Sequence, residues 1–398
     1  LKGGFTMDVK QIYTLVNSVT DEILGKSDIL KEDLSNVVDM GKELFSNTDV
    51  DNYVKTLVNR VGKTVFINRK YSGKVPSVLM DSWEFGSVLQ KISADLPQAT
   101  ENESWELVNG TSYDPNVFYK PTVSAKFYNS KVTFEVPLSF TEKQVKESFN
   151  SASELNAFIS MLYNAVEKSM TVKTDALIMR TINNMIAQTV DGDTTGVRAV
   201  NLLKNYNTLK GLSGATALTA SKALTDTDFL KYASMQIALY ADRLGTMSTL
   251  FNQGGKERFT PKDMLHIVLL SDYAQATKMY LESDISHNEL VKLPTAETVP
   301  YWQGSGTSFA FDKTSKVNVT ISKKNGSSNT KDVTVSGVIG VMFDRDALGV
   351  SNLDRRVTTN YNPKAEFFSN WYKFDCGYFN DLNENFVVFY IADTTSGS

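Results

Sequence analysis

"YNPKAEFFSNWYKFDCGYFNDLNENFVVFYIA" runs from Tyr361 to Ala392. Eleven of its thirty-two residues are Phe, Tyr or Trp, against 43 in the whole chain of 398. So many rings need a destination. Stacking on bases calls for interleaved basic residues, and only Lys364 and Lys373 are present here. A packed core or a subunit interface is the remaining use for this much aromatic surface. Cys376, the only cysteine, reads as a small buried residue. A lone cysteine also excludes an internal disulfide framework or a cysteine metal cluster.

Composition narrows the class. A chain of 398 residues exceeds what one compact core usually covers, so two or three lobes are expected. Hydrophobic residues at 41% and charged residues at 22% are ordinary for a folded protein. The net charge of -4 lacks the basic surplus of a phosphate-binding chain, so any contact with nucleic acid is expected to be weak or one-sided. Apolar stretches such as "MLHIVLL" (264–270) are far shorter than the ~20 residues that span a bilayer. No signal-peptide pattern opens the chain, so a soluble protein made inside the cell is expected. "LKGGFT" before Met7 reads as a translated ribosome-binding sequence, which makes Met7 the expected start of a bacterial-type gene.

Helical periodicity marks the N-terminal section. Val9, Ile12, Leu15, Val16, Val19 and Ile23 follow the i, i+3, i+4, i+7 rule. Leu30, Leu34, Val37 and Val38 repeat it, as do Tyr53, Val54, Leu57, Val58 and Val61. This predicts an arm of amphipathic helices. Farther on, Ser151 and Glu154 make a capping box before a stripe from Leu155 through Phe158, Ile159, Leu162, Val166 and Met170 to Met185. One long helix over 151–188 is expected. After "DGDTTG" (191–196) the pattern becomes mixed α/β, with a helix over 225–244 and a buried strand "HIVLL" (266–270).

The stretch "YKPTVSAKFYNSKVTFEVPLSF" (119–140) alternates with period two. With Asn129-Ser130 as a two-residue turn, Phe127 would oppose Val132, Ala125 would oppose Phe134, and Val123 would oppose Val136. All the apolar side chains then share one face. A hairpin over 116–140 is expected, with Pro121 and Pro137 confining both strands to edges. A lone two-stranded ribbon is marginal in water, so its apolar row needs cover. A neighbouring copy is the expected cover, which makes Tyr119, Val123, Phe127, Val132, Phe134, Val136, Leu138 and Phe140 the candidate inter-subunit contact. On this reading, replacing residues 122–136 by a Gly-Ser linker would spare the fold.

Signatures of chemistry are missing. The chain has no GxxxxGK[ST], GxGxxG or HExxH. "DGDTTG" imitates a calcium loop, but its twelfth position is Leu202 rather than Glu; it reads better as the turn that ends the long helix. His266 reads as a core histidine and His287 as a solvated one. "NLDRR" (352–356) reads as a solvated face or a subunit ion pair. No catalytic, cofactor-binding or metal residue emerges and no cofactor is expected, although unpatterned carboxylates leave a glycosidase-like pair open.

The order of elements resembles the tailed-bacteriophage major capsid proteins of the Hong Kong 97-like fold. The text resembles them as well. "GVIGVMFDRDALGV" (337–350) is followed by "TTNYNPKAEFFSNWYKFDCGYFNDLNENFVVFYI" (358–391). Together they read as a hydrophobic strand, an Asp-x-x-Ala-Leu-Gly turn, an Asn-Pro turn, and aromatic strands around a Gly and an Asn-Asp. "MDSWEFGSVLQKI" (80–92) is similar to the same family. The resemblance implies an α+β fold in four parts. Residues 1–75 would be an N-terminal helical arm. Residues 76–140 would be an extended loop carrying the hairpin 116–140. Residues 141–196 and 346–398 would form a peripheral domain, with a spine helix beside a β-sheet and the C-terminal rings in the seam. Residues 197–345 would form a mixed α/β axial domain.

It also implies a function without catalysis. The protein would assemble as hexamers and pentamers into an icosahedral or prolate head shell enclosing double-stranded DNA. Its place would be the virion, after assembly in the bacterial host cytoplasm. Implied partners are further copies of itself, the portal protein, a scaffolding protein, and cement or tail-connector proteins. Packaged DNA would be touched weakly on the inner face, and no membrane is involved. Some members of the family join a hairpin lysine to a neighbour's asparagine. Lys120, Lys126 and Lys131 lie near the hairpin, but no matching asparagine or glutamate is identified, and ordinary solubilising lysines are the expectation. Two alternatives stand beside this reading: an encapsulin-like bacterial compartment of the same fold, and a carboxylate-dependent carbohydrate hydrolase.

Overall fold

A computed structural model describes residues 9–24, 30–47, 52–60, 75, 78–80, 89–94, 109–110, 116, 118, 120, 123–282, 296–302, 316–322 and 330–393. In chain order the elements begin with α1 (Val9–Leu24), α2 (Val37–Asn47), α3 (52–60), β1 (Leu79–Met80), β2 (Leu89–Ala94), β3 (Val123–Tyr128), β4 (Lys131–Thr141), α4 (Glu142–Ser148) and α5 (Ala152–Gly192). Then come β5 (Ala199–Asn201), α6 (Leu202–Lys210), α7 (Ala220–Ala223), α8 (Thr227–Leu244), β6 (Leu265–Leu270), α9 (Ser271–Glu282) and β7 (Glu297–Val299). The last are β8 (Val317–Ser322), β9 (Thr330–Val335), β10 (Val338–Asp344), β11 (Leu348–Asn362), β12 (Phe367–Asn380) and β13 (Phe386–Tyr390). Two compact units result. One comprises residues 1–86, 131–177 and 350–377; the other comprises 87–130, 178–349 and 378–398. Tyr119 and His287 lie outside the described residues.

The first unit carries the helical arm and a four-stranded sheet of order β1-β11-β12-β4. Ile12, Leu15, Val16 and Val19 of α1 are buried, as are Tyr53, Val54, Leu57 and Val58 of α3. Leu30 and Leu34 are also buried, but the helix begins only at Val37. Asn17 explains part of this, because its side-chain amide accepts from Leu30 N–H at 3.0 Å and donates to Leu30 C=O at 3.2 Å. That residue's backbone is therefore satisfied outside a helix.

The sheet is organised by β4 and β12, which run antiparallel with eleven residues in register, Phe367↔Thr141 through Gly377↔Lys131. Side chains on one face pair directly: Phe368 with Phe140, Asn370 with Leu138, Tyr372 with Val136, Phe374 with Phe134, and Cys376 with Val132. Phe374 and Phe134 sit ring to ring at 5.2 Å, and Phe140 meets Phe158 of α5 edge-on at 5.5 Å. Leu155, Ile159, Leu162, Val166 and Met170 of α5 are all fully buried. Ser151 opens that helix by accepting from Glu154 N–H at 3.2 Å, as its sequence implies.

This ladder corrects the hairpin. β3 and β4 exist at the expected residues but do not pair with each other: β3 pairs with β2, and β4 pairs with β12. The reason is length. β3 has six residues, whereas β12 matches all eleven of β4 and meets its apolar row with rings. Pro137 is tolerated because β4 is an edge strand.

The second unit holds a five-stranded sheet of order β5-β13-β10-β6-β7, with two separate ribbons, β2-β3 and β8-β9. In β10 every residue is buried, and in β13 Phe386 through Phe389 are. Continuous apolar runs suit strands covered on both faces. The aromatic end is therefore divided. Residues 367–377 lie in the first unit's sheet, while β13 joins the second unit rather than a peripheral sheet. Phe386 stacks on Phe343 at 5.7 Å, and Tyr240 of α8 meets Phe389 edge-on at 5.3 Å.

α5 ends at Gly192, and Asp193 closes the turn. One carboxylate oxygen accepts from Thr195 N–H at 2.9 Å, the Thr195 hydroxyl at 2.8 Å and Gly196 N–H at 3.2 Å. The other accepts from Arg198 N–H at 2.8 Å and Ala199 N–H at 2.7 Å. Burial alone would raise this carboxyl, but the donors on Ala199, Thr195 and Arg198 outweigh it and hold the pKa at about 2.

Two outcomes follow. Asp193→Ala should lower stability by ~3 kcal/mol at neutral pH, because four backbone N–H groups lose a charged acceptor, those of Arg198 and Ala199 in part-buried bonds. The folded carboxyl lies below its ordinary 3.8, so its contribution is complete above that value and is lost as pH falls toward about 2. Denaturant melts of wild type and variant across that range check this; equal midpoints at neutral pH would contradict it. Second, replacing residues 122–136 removes Lys131–Val136 from the β4 ladder. It should therefore unfold the first unit, contrary to the hairpin reading. Circular dichroism decides: loss of cooperative unfolding is expected, and a native-like melt would contradict the pairing.

Candidate assembly interface

Nothing in the described residues is arranged for catalysis by a metal: no three of His, Cys, Asp and Glu are grouped to hold an ion. His266 on β6 lies opposite Phe343 in register, their rings 5.8 Å apart, and burial lowers its pKa. The Arg356 guanidinium of "NLDRR", which lies within β11 rather than in a turn, binds Asp375 at 2.9 Å and Asp354 at 3.2 Å, an ion pair on the first unit's own sheet. Cys376 is buried, with its sulfur 3.7 Å from the Asn352 side-chain oxygen. Among the described residues no helix is long and apolar enough to cross a membrane.

What stands out instead is the β2-β3 ribbon. Its register is Leu89↔Tyr128, Gln90↔Phe127, Lys91↔Lys126 and Ile92↔Ala125. Alternation therefore gives the ribbon two unlike faces. One carries Leu89, Lys91, Lys126 and Tyr128, all half-buried. The other is open and, apart from the exposed Gln90, apolar: Ile92 is 64% exposed, Val123 58% and Phe127 63%, with Ala125 exposed between them.

The half-buried face is held by the end of β12 and its connection to β13. Tyr128 packs on Phe379 with ring centroids 5.1 Å apart. Lys126 Nζ donates to Asp381 at 2.7 Å. Lys91 Nζ reaches Asp381 at 3.1 Å, Glu384 at 2.7 Å and the Asp346 carbonyl at 3.3 Å. Arg258 Nε donates to Glu384 at 3.2 Å. Burial opposes ionisation of Asp381, yet Lys126, Asn383 N–H and Lys91 keep its pKa below the ordinary value. Burial and then the Asp381 charge push the Tyr128 phenol up, so it stays protonated.

The eight candidate contact residues thus separate. Val123 and Phe127 are on the open ribbon face. Val136 and Phe140 are buried within the first unit, and Val132, Phe134 and Leu138 are half-buried beside them. Cover by the chain itself removes the need for a neighbour on β4. Lys120 and Lys131 are exposed, whereas Lys126 is an ion-pair partner rather than a mere solubiliser. Ile92 and the whole of β2 escaped the sequence reading. Their only signal was the short alternation in "LQKI" (89–92), too brief to separate from a loop.

Comparison with known proteins places this architecture. No curated protein matches the sequence. The capsid structure of Staphylococcus phage Andhra is similar at 8% identity with a TM-score of 0.52, covering 82% of this chain and 86% of that one. The capsid structure of the cyanophage P-SCSP1u is similar at 13% identity with a TM-score of 0.44, covering 80% and 87%. The first likeness shows the fold, which is the Hong Kong 97-like α+β capsid fold. A family model described as the Phi29-like phage major capsid protein matches residues 16–390. With that match spanning nearly the whole chain, the protein belongs to the Phi29-like phage major capsid protein family.

Proposed function

We propose that this protein forms the hexamers and pentamers of a tailed-phage head, and that the outward face of the β2-β3 ribbon is one of the contacts between neighbouring copies. As a phage major capsid protein it is a subunit of the shell and part of the virion. The observation that carries the contact is the row of Ile92, Val123, Ala125 and Phe127. It is apolar, contiguous in register and left exposed among the described residues. A subunit that assembles with itself has further copies at hand to cover such a row. The apolar core of an interface is where aromatic anchors concentrate.

In this reading the unit of residues 131–177 and 350–377, with α5, corresponds to the peripheral domain, and the five-stranded unit to the axial domain. The shell would meet a portal protein, a scaffolding protein, and cement or tail-connector proteins, and would touch packaged DNA weakly. The net charge of -4 fits weak contact with phosphates. The reading includes no catalysis. Asp193, Asp344, Asp381 and Glu384 are each taken up by backbone N–H groups or by Lys and Arg side chains, which leaves them poorly suited to the paired roles of a hydrolase.

Phe127→Asp places a charge on the proposed contact and outside the protomer's core. The variant should fold normally by circular dichroism while shell yield in electron microscopy falls by about tenfold or more. Shells at normal yield would remove the ribbon face from the interface. Lys126 is occupied by Asp381 and no asparagine partner is identified, so particles dissolved in SDS should run as single chains. A ladder of covalent oligomers would contradict this.

A further inference from the structure

Lys91 and Lys126 stand directly opposite each other on the same face of the ribbon. Like charges in that position oppose strand pairing, and a two-stranded ribbon has little stability to spare. The pairing exists nonetheless, and two carboxylates lie against the lysines. We propose that Asp381 and Glu384 form an anionic clamp that grips the ribbon through Lys91 and Lys126, holding its strands together and turning its apolar face outward.

The geometry is that of a built network rather than a chance surface pair. Asp381 and Glu384 have side chains only 2% and 9% exposed, while Lys91 is 21% and Lys126 38% exposed. Asp381 accepts from both lysines, one on each oxygen. Glu384 accepts from Lys91 and Arg258 through the same oxygen. Two carboxylates therefore face three cations, and each lysine reaches Asp381. Removing Asp381 takes away the one carboxylate that both lysines reach, and leaves Lys91 with Glu384, which Arg258 already engages.

The clamp is also rigidly mounted. Asp381 N–H donates to Ala347 C=O at 2.7 Å, and Glu384 N–H donates to Asp381 C=O at 3.2 Å. Asp344 N–H donates to Asn385 C=O at 3.0 Å, and Phe386 N–H to Phe251 C=O at 3.0 Å. The turn from 381 to 385 is thus fixed to the β10–β11 turn and to the segment around Phe251. Ribbon direction follows from parity. With Lys91 and Lys126 drawn onto the clamp, Ile92 and Phe127 must point the other way. Asp381, Glu384, Lys91 and Lys126 act here as positioning residues for the contact.

This inference rests on the ribbon-face reading above, and hydrogen exchange separates the two. In the unassembled full chain, Asp381→Asn should reduce protection of the amides in 89–94 and 123–128 by about tenfold, the scale of a lost charge-assisted hydrogen bond. Protection in α8 should not change. Adding Lys126→Met, which removes the opposed charge, should restore most of the lost protection, something a merely destabilising substitution would not allow. Lys126→Glu, on the exposed ribbon and away from the core, gives a second route, since it sets like charge against Asp381 and should also release the ribbon. Unchanged ribbon protection in both single variants overturns the clamp, as does a double variant no better protected than Asp381→Asn. Released ribbons with shells at normal yield support the clamp and instead overturn the ribbon face as a contact.

Discussion

The antiparallel ladder between β4 and β12 is the constraint on which the other features depend. Eleven residues in register and five same-face pairs, three with rings on β12, commit β4 to the sheet of the first unit. Only Asn129 and Ser130 separate β4 from β3, so a hairpin would have been the local solution. The chain gives it up because β12 is longer and supplies larger apolar partners. Cross-strand pairs of this type contribute a few tenths to one kcal/mol each, and the advantage grows with ladder length. Once β4 is taken, β3 must find another partner, and β2 is the strand it pairs with.

That exchange shapes the second unit. The β2-β3 ribbon is short, and its two faces differ in kind. The lysine face has strong partners in Asp381 and Glu384, within hydrogen-bond distance. The apolar face has none among the described residues and stays open at Ile92, Val123 and Phe127. The segment between β12 and β13 thus does two things: it carries the chain from one sheet to the other, and it supplies the charges against which the ribbon rests. The aromatic C-terminal stretch is accounted for in the same way, as two parallel tasks. Phe368, Tyr372 and Phe374 fill the first unit's sheet, while Phe386 and Phe389 complete a strand buried on both faces in the second.

Local features of this architecture were legible in the sequence. The stripe from Leu155 to Met185 and the Ser151 cap announced α5, which is one continuous helix of 41 residues. The period-two alternation of 123–140 correctly assigned both strands and the shared face of Val132, Phe134, Val136, Leu138 and Phe140. The partner of each strand was not legible. Alternation specifies which face is buried but carries no information on which distant strand covers it, and β4 and β12 are separated by more than two hundred residues. The clamp was invisible for the same reason: nothing in the sequence singles out Asp381 and Glu384, which the fold brings beside Lys91 and Lys126.

The most direct test of the account is whether the outward face of the ribbon becomes covered when shells form. The only native cysteine, Cys376, is buried, so a single new thiol reports cleanly. Ala125→Cys places it between Ile92 and Phe127 with little change in size. Its rate of reaction with a maleimide should be high in the unassembled chain and fall by about tenfold or more in assembled shells, as expected for a residue at the closed centre of an interface. Equal rates in the two states would contradict the account.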